Sequence, residues 1–308
     1  MKHHSVRAIV ATALGLTALA NPAEATKYAG EFMADGGGAR ALAMGSAFVA
    51  VADDASATFW NPAGLLSVPH RQVLAMHSER FGDLVDRDFA SYVQPIQLGG
   101  ERGAIGFTII RLGIDDIAFT DHLTEQLDDN SDGTVDDTEI LDIVDPTIQS
   151  LIRFESDQEW AFLASAAREF GPWQVGGNAK FIYQSVGDYS SWGLGIDLGV
   201  LRRDWWRRLD VGLKLQDATS TYLSWSTGTN ETIAPVVVPG VSYDWRFDSL
   251  SLDLTAAGAL EFHFDHRGRR DKDNPGEGGV DQFGYHAWGG FFEDVSSNAF
   301  LGLEATLS

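Results

Sequence analysis

Four stretches between residues 174 and 257 alternate between large apolar side chains and polar or glycine ones. Val175, Gly177, Ala179, Phe181 and Tyr183 share one parity, and Gln174, Gly176, Asn178, Lys180 and Gln184 the other, interrupted by Ile182. Trp192, Leu194, Ile196, Leu198 and Val200 oppose Gly193, Gly195, Asp197 and Gly199. Leu209, Val211, Leu213 and Leu215 oppose Asp210, Gly212, Lys214 and Gln216, and Leu250, Leu252, Leu254 and Ala256 oppose Ser251, Asp253, Thr255 and Ala257. A period of two makes strands with two unlike faces. In a water-soluble sandwich the apolar face points inward. In an outer-membrane barrel it meets lipid, and the polar and glycine face lines the interior. Periodicity alone fits both.

Loop lengths separate them. The pattern predicts eleven strands, at residues 70–78, 86–95, 102–112, 157–169, 172–186, 189–201, 207–217, 235–245, 248–264, 281–292 and 298–307. Connections 96–101, 170–171, 202–206, 246–247 and 293–297 are short, whereas 113–156, 218–234 and 265–280 are long. Short turns on one rim and long loops on the other are the habit of outer-membrane barrels, although the connection after the fifth strand is also short. Trp160, Trp173, Trp192, Trp205, Trp206, Tyr243 and Trp245 fall near predicted strand ends, as an interfacial aromatic girdle requires. Arg202 to Arg208 (RRDWWRR) reads as a basic turn whose two Trp anchor at lipid headgroups. Single-chain bacterial barrels have an even strand count. The odd count, and an end at Ala305-Thr306-Leu307-Ser308 without a terminal aromatic, read as a chain lacking its last strands.

Residues 1–25 read as a secretory signal. Lys2 and Arg7 precede the apolar run Ile9 to Ala20, and Ala23-Glu24-Ala25 is a small-x-small cleavage site, so the mature chain begins near Thr26. Twelve apolar residues are too few to cross a bilayer core of about 30 Å as a helix. The chain has 308 residues and no Cys, which excludes disulfides and thiolate metal sites. With 22 basic against 44 acidic residues it is not a nucleic-acid binder. No Gly-x-Ser-x-Gly elbow or His-Glu-x-x-His helix is present, and the expectation is a non-enzymatic protein.

One stretch fits neither strand nor amphipathic helix. Residues 36–65 read GGGARALAMGSAFVAVADDASATFWNPAGL, small and apolar with one Asp pair. The sequence predicts an N-terminal plug over residues 26–66, inside a barrel over 67–308. Asp54 is placed to cap a short helix from Ala55. Pro62 ends that helix and pushes Asn61 out of helical geometry, where Asn61 can hydrogen-bond its own turn. Gly36, Gly37, Gly38 and Gly45 permit close backbone packing. No Gly-Lys-Ser/Thr follows, so this is not a phosphate-binding loop.

Residues 38–65 strongly resemble the N-terminal signature of the PorV/PorQ family of outer-membrane proteins. More distantly they resemble the plug of the FadL long-chain fatty-acid transporters, which also carry an Asp pair followed by Asn-Pro-Ala. The Lys180-Phe181-Ile182 to Val200 hairpin and the run from Ile233-Ala234-Pro235 to Tyr243 agree. The resemblance implies an all-β fold, a FadL-like transmembrane antiparallel barrel of about fourteen strands in the bacterial outer membrane. It implies that Gly38, Arg40, Asp53, Asp54, Asn61, Pro62 and Ala63 belong to a plug that lines a passage; a purely structural plug fits these residues equally well. The PorV likeness implies a part in type IX-like protein secretion, with secreted proteins or translocon components as partners. The FadL likeness implies passive transport of long-chain fatty acids or other hydrophobic compounds.

The longest connection carries a second motif. Residues 128–139 read DDNSDGTVDDTE and match the twelve-residue EF-hand loop. Asp128, Asn130 and Asp132 fill the first, third and fifth positions, Gly133 the turn, Thr134 the backbone-carbonyl seventh, Asp136 the ninth and Glu139 the bidentate twelfth. Phe119, Leu123 and Leu127 have the spacing of an entering helix, and Ile140, Leu141, Ile143 and Val144 of an exiting one that Pro146 cuts short. The expectation is a structural calcium ion in an external loop. His263, Asp265, His266, Asp271 and Asp273 make a weaker metal cluster, opposed by Arg267, Arg269, Arg270 and Lys272, and read as a loop. Lys180, Asp197, Asp210, Lys214 and Asp253 are expected to face the interior.

Overall fold

A computed structural model describes residues 30–98, 100–120, 123, 127, 146–263 and 296–307. The export signal and its cleavage site, the calcium loop 128–139, the strand predicted at 281–292 and the cluster residues Asp265, His266, Asp271 and Asp273 lie outside the described residues.

The chain is all-β, with one antiparallel sheet of twelve strands. These are β1 (Gln72–Arg80), β2 (Val85–Leu98), β3 (Glu101–Phe119), β4 (Arg153–Phe170), β5 (Trp173–Val186), β6 (Tyr189–Trp206), β7 (Leu209–Gln216), β8 (Thr221–Trp225), β9 (Asn230–Ile233), β10 (Val236–Phe247), β11 (Leu252–His263) and β12 (Ser296–Leu307). The ladder runs β1 through β7, then β10, β11 and β12, and every neighbouring pair is antiparallel. Among the described residues β1 and β12 each have one partner.

Several boundaries differ from the sequence reading. β3 continues to Phe119 and β4 begins at Arg153, so Phe119 ends a strand and does not open a helix. Ile114 and Ile117 flank a bulge there, which a strict period-two template misses. β6 runs on to Trp206, so the tryptophans of the RRDWWRR segment end a strand and only Arg207 and Arg208 form the turn, with φ 49° and 69°.

The 218–234 connection is not a loop. It contains β8 and β9, which pair with each other, and β8 also pairs with β6. β6 therefore meets β7 along Leu198 to Trp206 and β8 along Ser191 to Leu194. Strands β7 and β8 form one interrupted strand, and β9 and β10 its interrupted partner. The interruption at Asp217 to Ser220 puts both of those residues at positive φ, 52° and 56°. An Asp-Ala-Thr-Ser run reads as a loop, which hid the pairing beyond it.

The polarity of the sheet is inverted relative to a soluble protein. Asn178, Lys180, Gln184, Ser191, Asp197, Asp210 and Lys214 are buried, while Phe181, Tyr183, Trp192, Leu194, Ile196 and Leu198 on the opposite parity are exposed. What covers the polar face is residues 30–68. This segment consists of short helical turns, Glu31–Met33, Ala39–Ala43, Ala57–Trp60 and Pro62–Ser67, with tight bends between them. It contacts the whole width of the sheet, from Arg80 on β1 and Arg87 on β2 to Glu304 on β12. Neighbouring strands lie about 4.8 Å apart, so a flat ladder from β1 to β12 would span roughly 40 Å. The sheet therefore curves around the segment.

Candidate functional site

The N-terminal segment is held by fit and by arginines. A Cβ on Gly176 would meet the backbone of Pro62 and Ala63, one on Gly199 the Asn61 side chain, and one on Gly212 the Val49 carbonyl. The inward glycines of β5, β6 and β7 are what let the segment lie against the wall. Within the segment Phe59 and Trp60 pack edge to face at 5.1 Å, and Phe48 meets Trp60 at 6.4 Å. Trp60 Nε1 donates to the Gly37 carbonyl at 2.7 Å, which satisfies its one polar atom in the core.

Asn61 is extended, with φ −163° and ψ 105°, and stands at the start of the 3-10 turn Pro62–Ser67. Its Oδ1 accepts from Ala63 N at 3.1 Å, and its Nδ2 donates to Val49 O at 2.9 Å and Val200 O at 3.3 Å. One buried amide thus ties together two turns and the β6 wall. Asp54 acts differently from the cap expected of it. The helix starts at Ala57, not Ala55, and Asp54 Oδ1 accepts from Ser56 N at 2.8 Å and Ser56 Oγ at 2.5 Å, an Asx-type turn leading into it.

Arg40 Nε and Nη2 donate to the two oxygens of Glu304 at 2.6 and 2.7 Å, and Nη1 donates to Asp53 Oδ1. The hydrogen bond to Glu304 raises the guanidinium pKa above its ordinary value, so Arg40 is a fixed cation. Gly38, at φ 90°, precedes this helix and abuts Ser56. The family resemblance singles out Gly38, Arg40, Asp53, Asp54, Asn61, Pro62 and Ala63. The structure brings Arg40, Asp53 and Asp54 to the β12 side and Asn61, Pro62 and Ala63 to the β5–β6 side.

Sequence reasoning missed two anchors. Arg87, fully buried, donates to Phe32 O at 2.5 Å and to Gly36 O. Arg203 donates to the carbonyls of Ala50, Val51 and Ala52 and to Asp210 Oδ2. The one available signal was their inward strand parity. Lys180, by contrast, was expected inside and is there, 2.5 Å from Asp217 Oδ1 and 3.1 Å from Asp197 Oδ1. Asp197 Oδ1 also accepts from Asp217 N at 2.9 Å, so this buried cluster pins the break between β7 and β8. Asp253 lies at the rim and pairs with Arg246 at 2.8 Å.

Beside the break the segment leaves a cavity of about 240 Å³ against β7, β10, β11 and β12. Val49, Phe59, Trp60, Ile233, Val236, Val238 and Phe300 supply its apolar lining. Glu31, Lys214, Glu261 and His263 are its ionisable side chains, with Lys214 Nζ 4.4 Å from the Phe59 ring centroid and His263 Nε2 3.5 Å from Glu261 Oε2. Lys214 Nζ also donates to Gln216 Oε1 at 2.8 Å. An apolar pocket with a few convergent polar groups is the ordinary form of a small-molecule site. Among the described residues no cluster of three His, Asp or Glu side chains could hold a metal ion. Of the helix predicted before the calcium loop, Leu123 and Leu127 are described, and both are buried.

No protein-family model matches the chain, and no curated protein sequence does. Among solved structures it is similar to OmpT (in-vitro folded), an outer membrane protein of Vibrio cholerae. The TM-score is 0.37 and the identity 12%, and the alignment covers 81% of this chain and 68% of that one.

Proposed function

We propose that the chain is a non-enzymatic outer-membrane β-barrel, that residues 30–68 plug its lumen, and that small hydrophobic compounds pass or lodge beside the plug. The membrane reading is supported by the inverted polarity, because a wall with Phe181, Trp192, Leu194 and Ile196 outside and Asn178, Lys180 and Asp197 inside is stable in lipid and costly in water. The functional reading is carried by the cavity between Phe59, Trp60 and β7, β10, β11 and β12 at the strand break. An apolar chamber inside a polar lumen suits a molecule that water solvates poorly.

The test is native mass spectrometry of the protein extracted from its own outer membrane. An apolar compound should be released on denaturation, and Val238→Trp, which fills the chamber, should lower its occupancy. Extraction with no bound compound, together with no binding of a fluorescent hydrophobic probe, would remove the reading. Protein secretion is the other reading that the signature of residues 38–65 implies; its mark is co-purification with secreted proteins or a translocon. We further propose calcium as the ligand of Asp128, Asn130, Asp132, Thr134, Asp136 and Glu139, on the strength of their sequence spacing.

A further inference from the structure

On the outer face, at the rim of short turns, two arginines flank one aromatic pair. Phe170 on β4 and Trp173 on β5 are register partners. The Arg168 guanidinium carbon lies 5.3 Å from the Phe170 ring centroid, and that of Arg202 on β6 lies 5.3 Å from the Trp173 centroid. Among the described residues neither guanidinium has a hydrogen bond or an ion pair, and the Nε of each is shielded from solvent without a partner. Two nearby arginines behave differently. Arg203, one residue on and facing inward, is saturated by three carbonyls and Asp210, and Arg246 on the same rim pairs with Asp253. In a chain with 44 acidic residues, each of these two arginines keeps a shielded donor with no carboxylate beside it, a place that suits an anion from outside the chain.

A groove of about 260 Å³ runs from Arg168 along the outer wall. Its floor is the register pair Ala166 and Gly177, and Leu198, the partner of Gly177 on β6, forms its side. Gly177 has no side chain and Ala166 only a methyl, so the floor lies low between their register partners Ile105 and Leu198 and leaves a trough for a hydrocarbon chain. We propose that this is a binding site for one anionic phospholipid. The phosphate sits over Phe170 and Trp173 between the two guanidinium groups, which bind phosphate oxygens in paired hydrogen bonds. An acyl chain occupies the groove over Ala166 and Gly177. The short-turn rim places the headgroup in the periplasmic leaflet. The site rests on the outer-membrane reading and adds a ligand on the outside of the wall, separate from the interior cavity.

The experiment uses the full chain, extracted in neutral detergent, with native mass spectrometry across a titration of phosphatidylglycerol and of diacylglycerol with the same acyl chains. Phosphatidylglycerol should bind at least about ten-fold tighter than diacylglycerol, and the Arg168→Gln/Arg202→Gln pair should remove that preference, each basic group at a membrane surface being worth about 1 kcal/mol. Arg246→Gln should leave it unchanged, and Arg168→Lys/Arg202→Lys should restore part of it. Heat-modified gel mobility reports whether each variant is folded. Equal binding of the two lipids, or undiminished phosphatidylglycerol binding in the folded Gln pair, overturns the site. Displacement of the lipid by millimolar inorganic phosphate alone also overturns it, since the groove would then contribute nothing. If the protein is not recovered from outer membranes at all, the barrel reading falls and this site with it, a result distinguishable from a membrane-borne barrel that binds lipid without these arginines.

Discussion

Arg40 and Glu304 meet in a two-point contact, Nε and Nη2 each donating to one carboxylate oxygen, across 264 residues of chain. It joins the start of the N-terminal segment to β12. Paired charge-assisted hydrogen bonds are among the stronger polar contacts, and this one is partly exposed, with side chains 36% and 24% accessible. Glu304→Gln should therefore cost about 1–2 kcal/mol and loosen the segment locally. Hydrogen exchange should rise through residues 38–45 while β5 and β6 stay protected. Uniform loss of protection over the sheet would show instead that the contact holds the fold and not the segment.

Gly176 and Gly258 differ in what a side chain would strike. A Cβ at Gly176 would collide with the Pro62 and Ala63 backbone, whereas one at Gly258 would meet Leu301 Cδ2 at 3.5 Å, an ordinary contact. Gly176→Ala should destabilise by about 1–3 kcal/mol, since the segment must shift or the wall must bend. Gly258→Ala should stay within about 0.5 kcal/mol. Urea unfolding in detergent reads both, and equal midpoints would mean that the segment does not rest on β5.

Lys180 sits between two carboxylates with little solvent. Lys180→Met would remove the cation that bonds both Asp197 and Asp217, and removing one partner from a buried pair costs about 3–5 kcal/mol. The break between β7 and β8 should lose its hydrogen-exchange protection first, because Asp217 N donates to Asp197 Oδ1 and ties the break to β6. A variant as stable as the parent would show that water already solvates this cluster.

The wall was legible and the interior contacts were not, for a physical reason. Alternation reports which parity a residue has, so it puts Asn178, Lys180 and Asp197 on one face, and loop lengths and the placing of the tryptophans are what made that face the interior. It does not report register, and it fails where a strand breaks, which is why Asp217 to Ser220 concealed β8 and β9. Arg87 and Arg203 hold the segment through backbone carbonyls, and a carbonyl acceptor has no sequence signature. The cavity arises where residues distant in the chain, Phe59, Ile233 and Phe300, face one another. The oddity of residues 36–65 was visible as composition, but its fit against Gly176, Gly199 and Gly212 depends on register.

The calcium reading is tested through its twelfth-position ligand. Glu139→Gln removes the bidentate carboxylate that the EF-hand pattern requires. Calorimetry on the full chain should show calcium binding at about 10⁻⁴ to 10⁻³ M, the range of extracellular modules, and the variant should lose it. No heat at millimolar calcium, or equal heat from parent and variant, would retire the site.

Leu198 gives the sharpest test of where this wall resides. It lies within β6 (Tyr189–Trp206), about midway between Trp192 and Trp206, points away from the buried parity and is 47% exposed. In water, arginine at such a position would be tolerated or would aid solubility, because an exposed leucine already lies against solvent. In a bilayer, an arginine on the lipid face near the midplane costs about 2–4 kcal/mol, and the cost falls to about 0–1 kcal/mol near the interface. Trp206, at the strand end beside Arg207, supplies the interfacial comparison. Leu198→Arg should thus lower stability in lipid vesicles by several times more than Trp206→Arg, and the gap should shrink in detergent micelles, which deform around a charge. Equilibrium unfolding in vesicles measures the two costs directly. Two small and equal costs would place this surface in water and overturn the membrane reading on which the plug, the cavity's ligand and the lipid site depend.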